Sequence, residues 1–395
     1  MDFRFTDQQE AFRTEVRAFL DETLTDQFWS EQRASRHPGW SPEFSRAAAE
    51  RGWLGIAWPV EFGGQARGKI DQMIYMEEMA YAGAPQEHHR RAVQQVGPSI
   101  ILHGSEAQKQ RYLPGVASGE ISFAMGLSEP NAGSDLANVE TTAARDGDDF
   151  VLTGEKVFTS GAHYSDYLWT VVRTDPDAPK HRGISMLVVP LDAPGVQVQP
   201  LIDLQDRHHF NRIFLEDVRV PAENLIGEEN RGWYINATTM DFERSGIARI
   251  AHLDQLFDSL TDALRGLPED ERQLPRYRAA RRRLADLVLG VRTSRILAYR
   301  VVSMQNAGLL PNYEVSIVKL LASETSQALH NVGVNAHGLY GQLSGPDGEA
   351  GPEAGRRGGG WGPGYLAAIP DSIAQGSSEI QRNVIATRGL GLPRG

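Results

Sequence analysis

Phe123-Ala-Met-Gly-Leu-Ser-Glu-Pro-Asn-Ala-Gly-Ser-Asp135, answered further on by Lys156-Val-Phe-Thr-Ser160, decides how this chain is read. The first segment alternates like a strand up to Leu127. It then breaks into a polar turn: Ser128, a Pro130 that cannot donate to a ladder, and Asn131-Ala-Gly133, where backbone turns sharply. That turn offers backbone N–H groups and the hydroxyls of Ser128 and Ser134 at close approach, an array suited to the edge of a flat heterocycle such as a flavin and to phosphates. The second segment sets an aromatic, Phe158, and two hydroxyls, Thr159 and Ser160, on another strand. Spacing alone fits a ligand-free hairpin of a surface β-domain equally well.

Around this stretch the chain changes period twice. Thr6-Asp-Gln-Gln9 is a capping box, and Phe12, Val16, Phe19, Leu20 and Leu24 follow at helical spacing. Ser41-Pro42 starts another helix. Tryptophan and glycine punctuation (Gly52-Trp53, Trp58-Pro59, Gly63-Gly64) precedes an apolar helix over 72–81, and helical patterns continue over 90–112. From Ile121 the segments 121–127, 150–159, 167–174, 184–190, 196–201 and 212–220 are short and rich in Val, Ile, Thr and aromatics, divided by turns such as Asp146-Gly147 and Arg182-Gly183. After Pro221 helical spacing returns over 231–265, 272–308 and 312–340, with corners at Pro268 and Leu309-Leu-Pro311, and again over 365–388. The expected architecture is α+β: a helical domain over 1–119, a central β-domain (small barrel or sandwich) over 120–228, and a four-helix-type bundle over 229–395. A Gly/Pro-rich mobile loop at 341–364 interrupts the bundle.

Composition narrows the function. A net charge of −11 argues against a nucleic-acid surface, so an anionic ligand must be met by a few placed arginines. No apolar run reaches the roughly 18 residues of a membrane span. The opening Met1-Asp-Phe-Arg-Phe-Thr-Asp7 puts acidic residues where a signal peptide is apolar, which makes the expected location cytoplasmic. The absence of cysteine removes disulfides, thiolate metal sites and a cysteine nucleophile, and no metal site is expected.

Helices, then a β-domain, then a bundle is an uncommon order, and with its motifs the chain resembles the acyl-CoA dehydrogenase family almost end to end. Leu127-Ser-Glu-Pro-Asn-Ala-Gly-Ser-Asp135 is similar to the family's T/S-E-P-x-A-G-S-D. The likeness continues through Gly154-x-Lys156 with Phe158-Thr-Ser160, Val218-Arg-Val-Pro-Ala-Glu-Asn-Leu-Ile-Gly227 with Gly232-Trp233, and Gly376-Ser-Ser-Glu-Ile-Gln-Arg-Asn383 leading to Leu390-Gly-Leu-Pro393. The resemblance implies FAD, oxidation of an acyl-CoA thioester to its α,β-enoyl form with hydride passing to flavin N5, a homo- or hetero-oligomer (dimer or tetramer), and an electron-transfer flavoprotein as acceptor. It assigns Met125, Leu127, Ser128, Phe158, Thr159, Ser160, Ser377 and Glu379 to the cofactor, Phe158 standing where the family has a flavin-shielding tryptophan. It assigns Ser134, Asp241, Arg244 and Gly376 to the substrate.

Abstracting a proton α to a thioester needs a carboxylate and donors for the enolate oxygen. Many family members carry a glutamate just before the Gly-Thr of the C-terminal turn; here that position is Gln375, which cannot take a proton. In isovaleryl- and long-chain-type members the base stands on a bundle helix. In Met240-Asp-Phe-Glu-Arg-Ser245 that residue is Glu243, with Arg244 near CoA, and Gln375 keeps a backbone N–H for the thioester oxygen. The family's Arg-x-x-Phe-Gly segment, which reaches a neighbouring subunit's FAD, is missing. Arg265-Gly-Leu-Pro stands in its place, followed by Arg281-Arg-Arg283. A branch that includes subunits of heteromeric steroid-type enzymes shares this loss. Two rival readings therefore stand beside the dehydrogenase: a catalytically silent partner subunit, and a flavin monooxygenase of the same fold.

Overall fold

Thr6 starts the first helix, α1 (Asp7–Thr23), with the reciprocal cap its sequence announces: Gln9 N–H donates to Thr6 Oγ1 at 3.3 Å and Thr6 N–H to Gln9 Oε1 at 2.9 Å. The computed structural model describes residues 4–35, 39–242, 245–342 and 360–393. Further helices are α2 (Asp26–Ala34), α3 (Pro42–Glu50), α4 (Lys69–Tyr81), α5 (Gly97–His103), α6 (Glu106–Ala117), α7 (Gly232–Phe242), α8 (Ile247–Gly266), α9 (Glu269–Arg272), α10 (Pro275–Asn306), α11 (Tyr313–His337), α12 (Trp361–Ala368) and α13 (Ser378–Val384). The strands are β1 (Phe123–Gly126), β2 (Thr142–Asp146), β3 (Asp149–Lys156), β4 (Tyr167–Arg173), β5 (Ile184–Pro190), β6 (Val196–Ile202), β7 (His208–Pro221) and β8 (Leu225–Ile226). No helix among the described residues is long and apolar enough to cross a membrane.

The chain packs as two units. One comprises Met1–Pro38, Gly68–Ala84 and Ser245–Gly395. In it α10 lies against α8 and α11, and α4 against α1, α8 and α10. The apolar stripes Leu253, Leu256, Leu260 and Leu264 of α8, Val291, Ala298 and Val301 of α10, and Val318, Ala322 and Leu329 of α11 meet in its core. Helix α4 is buried from Met73 to Met79 without a polar face. The two carboxylates of that stretch are therefore paired inside: Glu77 with Arg13 (3.0 Å) and Arg295 (3.0 Å), Glu78 with Arg17 (2.8 Å).

The other unit comprises Gly39–Arg67 and Pro85–Arg244. Its sheet runs in the order β6-β7-β3-β2-β4-β5-β8, with β1 paired parallel to β4. Phe150, Leu152, Leu168, Val172, Leu187, Val189, Ile213 and Val220 form its core. Strand β5 is buried on both faces because α7 packs on it. Gly232 opens that helix so close to the strand that a Cβ would lie 2.3 Å from the Ser185 carbonyl carbon.

The structure corrects several expected boundaries. Strands β2 and β8 carry too little alternation to be seen in sequence. The helix expected over 231–265 is two helices, α7 and α8, because Gly246 takes the left-handed conformation (φ 67°) just before α8. The helix expected over 365–388 starts at Trp361, so 361–364 belong to α12 rather than to the loop. It is also broken between 369 and 377 by a 3₁₀ turn and two left-handed residues, Gln375 (φ 55°) and Gly376 (φ 83°). The rest of the expected mobile loop, 343–359, lies outside the described residues.

Candidate functional site

In the sheet unit the two motifs are one construction. Strand β1 pairs with β4 from Phe123↔Tyr167 to Gly126↔Thr170, and Thr170 Oγ1 donates to the Gly126 carbonyl at 2.6 Å. Beyond it Glu129 and Ala132 exchange backbone hydrogen bonds (3.0 and 3.1 Å), which closes the Pro130 turn. Val157 N–H donates to the Ser128 carbonyl at 2.9 Å, joining the first motif to the second. The fastening lies underneath. Lys156 is fully buried, and its Nζ donates to Glu129 Oε1 at 2.7 Å and to the Val171 carbonyl at 2.6 Å. Glu129 also accepts from Glu140 N–H (2.5 Å) and Thr141 N–H (3.1 Å). Burial pushes the Glu129 carboxyl up, but the Lys156 ammonium and these donors outweigh it and hold the group below the usual carboxylate range. Gly154 completes the motif: at φ 155°, beside a register shift in β3, it leaves no room for a Cβ, which would lie 2.5 Å from Thr141 Oγ1. Glu129 and Lys156 were not among the expected site residues. Both stand inside the two motifs, but among polar neighbours such as Ser128, Asn131 and Glu155 nothing in the sequence marks them as buried.

This fastening positions a partly open edge. Met125, Leu127 and Ser128 are half-buried, and Ser134 is exposed. Phe158 and its neighbours do not continue β3, which ends at Lys156. Phe158 turns into the left-handed region (φ 55°), leaving its ring 62 % exposed and edge-on to Phe210, while Ser160 is half-buried. Thr159 goes the other way. It is fully buried, its backbone pairs with Asn211 (3.0 Å from N–H, 2.9 Å to the carbonyl), and its Oγ1 has no hydrogen-bond partner among the described residues. A ligand arriving at this edge meets a presented aromatic face and two hydroxyls, Ser128 and Ser160. That donor set fits the flat, acceptor-rich ring of a flavin. Of the substrate-side residues, Asp241 lies in the last turn of α7, and Glu243 and Arg244 lie outside the described residues.

In the bundle unit the 369–377 segment carries the other expected residues. The left-handed Gln375 sends its side-chain carbonyl to Arg249 Nη2 at 2.6 Å. Arg249 Nη1 reaches Asp371 Oδ1 at 3.2 Å, and Ser326 Oγ donates to Asp371 Oδ2 at 3.2 Å. Gln381 Nε2 donates to the carbonyls of both Gln375 and Gly376 at 3.1 Å, and Lys319 Nζ donates to Gly376 O at 2.8 Å. Ser377 caps α13, its hydroxyl accepting from Ile380 N–H (3.3 Å). The Glu379 carboxyl lies below its ordinary range through hydrogen bonds from its own backbone N–H and the Ser377 hydroxyl. The carboxylate of this segment, Asp371, is thus committed to Arg249 and Ser326. Arg249, Lys319 and Gln381 were also unforeseen; their only sequence signal is a charge or amide on an otherwise packed helix face.

Models of the acyl-CoA dehydrogenase N-terminal, middle and C-terminal domains match residues 6–120, 124–218 and 230–390. The chain is similar to the acyl-CoA dehydrogenases FadE29 (34 % identity) and IpdE1 (33 %) of Mycobacterium tuberculosis, each alignment covering 98 % of both chains. Among solved structures it is similar to the Tcur3481-Tcur3483 steroid ACAD (TM-score 0.88, 32 % identity) and to the ChsE4-ChsE5 complex from Mycobacterium tuberculosis (TM-score 0.87, 31 %), with all of each chain covered. With three consecutive domain models in the family's order and the motif pair fastened by Glu129 and Lys156, the chain belongs to the acyl-CoA dehydrogenase family and is an oxidoreductase of that class.

Proposed function

We propose that the chain carries out FAD-dependent α,β-dehydrogenation of a bulky acyl-CoA thioester, with Glu243 taking the α-proton. One observation carries the assignment of the base. The turn that holds a glutamate in many relatives presents Gln375, whose side chain is tied to Arg249, and the adjacent Asp371 is neutralised in an ion pair. Glu243 is the carboxylate that matches the family's alternative position. It removes the proton, while the Gln375 N–H donates to the thioester oxygen as charge develops there. Met125, Leu127, Ser128, Phe158 and Ser160 would hold FAD, which when bound supplies the hydride acceptor. Ser134 and Arg244 serve the phosphorylated arm of CoA. The bulky, steroid-type acyl group is favoured because a structure similar to this chain over its whole length is a steroid ACAD; an electron-transfer flavoprotein is the acceptor that the family resemblance implies.

Anaerobic bleaching of the flavin by octanoyl-, isovaleryl- and cholanoyl-CoA tests this reading. Glu243→Gln is expected to slow bleaching by roughly 10²–10⁴-fold; a variant that bleaches as fast as the parent removes Glu243 as base. A second reading, a silent subunit of a heteromeric enzyme, is favoured by the missing Arg-x-x-Phe-Gly segment and by similarity to the ChsE4-ChsE5 complex. An isolated protein that stays colourless after reconstitution with FAD supports that subunit role over the enzyme.

A further inference from the structure

The Gln375–Gly376 turn is held from behind by side chains rather than by a ladder of its own. Two successive carbonyls converge on the Gln381 amide nitrogen (3.1 Å each), and the second also takes the Lys319 ammonium at 2.8 Å. No peptide bond in the described chain is cis. In a trans peptide the N–H points opposite the preceding carbonyl, so drawing both carbonyls inward turns the Gly376 and Ser377 N–H groups outward. The Gln375 side chain is pinned separately by Arg249 (2.6 Å), and its φ of 55° then fixes the direction of its own N–H. A non-glycine residue in that region persists only where its surroundings over-determine it. Those surroundings are Arg249, Gln381 and Lys319. A Cβ on Gly376, itself at φ 83°, would lie 2.6 Å from Gln381 Nε2, so a side chain there is strained and pushes the Gln381 amide off the two carbonyls.

We infer that Lys319 is a positioning residue for the dehydrogenation: its ammonium, seated on the Gly376 carbonyl, sets and polarises the turn that aims the Gln375 N–H, the donor that stabilises the negative charge developing on the thioester oxygen. The inference rests on the proposed dehydrogenase reading. Lys319 is nearly buried, on a face of α11 turned to the turn. The ionisable groups that face it are Arg249 from α8, Asp371 from the 3₁₀ turn and Glu379 from α13. Burial and then the Arg249 charge draw its amine down to about 8, with Asp371 and Glu379 opposing. The amine is charged below that value and loses its charge above it. The positioned, polarised turn is therefore complete at neutral pH and weakens on the alkaline side.

The test uses the full chain as Lys319→Met and Lys319→Arg. Two readouts are followed: bleaching by octanoyl-, isovaleryl- and cholanoyl-CoA between pH 6 and 10, and hydrogen–deuterium exchange of the 373–381 segment without ligand. Lys319→Met is expected to raise exchange in that segment and to slow bleaching at pH 7 by about tenfold or more, on the scale of a lost or misdirected oxyanion donor. The parent shows an alkaline limb near pH 8. Lys319→Arg restores the neutral rate to within a few fold and moves the limb beyond the range, because a guanidinium stays charged. A Lys319→Met protein with parental exchange overturns the positioning role, as does a limb that Lys319→Arg leaves in place. Raised exchange with an unchanged rate overturns the catalytic part. A parent that no thioester bleaches overturns the dehydrogenase reading and the inference with it, while exchange still reports whether Lys319 holds the turn. If Lys319→Met fails to fold, the pH profile of Lys319→Arg decides.

Discussion

Replacing Lys156 by methionine removes one ion from a pair that has no solvent on either side: the lysine side chain is 0 % exposed and that of Glu129 3 %. The methionine fills most of the volume, so the cost is electrostatic. Two hydrogen bonds are lost, to Glu129 Oε1 and to the Val171 carbonyl, and the carboxylate is left buried with only the N–H groups of Glu140 and Thr141. Breaking a buried pair from one side costs about 3–5 kcal/mol. For a unit of this size that corresponds to a fall in melting temperature on the order of 10 °C at pH 7. Calorimetry of parent, Lys156→Met, Glu129→Gln and the double variant measures it. The double variant is expected to recover a large part of the loss, since no unpaired charge remains, giving a coupling of about 2–4 kcal/mol. The sign of the pH dependence is fixed as well. The Glu129 carboxyl titrates below its ordinary range in the fold, so its contribution is present above the unfolded value and is lost as pH falls through the lowered one. The deficit of Lys156→Met therefore narrows on acidification, where the stranded carboxylate takes up a proton. Because Val157 N–H is bonded to the Ser128 carbonyl, flavin retention falls with stability. A Lys156→Met protein melting within about 2 °C of the parent, or a cycle with no coupling, refutes the fastening.

Three further outcomes are expected. In a Glu243→Gln background, Gln375→Glu recovers no more than about 1 % of the parental bleaching rate, because the Arg249 guanidinium, 2.6 Å from the present side-chain oxygen, holds the new carboxylate as a weak base; adding Arg249→Leu raises the rate, and full recovery with Arg249 in place contradicts this. Thr159→Val removes a buried hydroxyl that has no partner among the described residues and raises stability by about 1–2 kcal/mol in a melting experiment while leaving flavin content unchanged; loss of flavin shows instead that Thr159 reaches the cofactor. His89, buried against Ser45 Oγ (2.8 Å), is pushed down to about 3 by burial and by the charges of His88 and Arg90. Its neutral form stabilises the fold above about pH 6.5, and stability falls by up to about 1.4 kcal/mol per pH unit between there and pH 3, as the unfolded chain takes up a proton that the fold refuses. His89→Gln flattens that slope in pH-dependent unfolding.

Local chemistry is what the sequence determines by itself. The Thr6 capping box, the Ser41-Pro42 start and the changes of period at Ile121 and Pro221 depend on residues within a few positions of one another. Helix–sheet–bundle order was therefore legible, as were the motif pair and the amide at 375. What the tertiary structure decided are the partnerships of residues far apart in the chain. Lys156 finds Glu129 across 27 positions, Lys319 finds Gly376 across 57, and Arg249 finds Gln375 across 126. No spacing rule announces a buried lysine or arginine, because on its own each reads as a solvated side chain. The left-handed Phe158 and Gln375 were hidden for the same reason, since only distant contacts outweigh the steric cost that local preference assigns them.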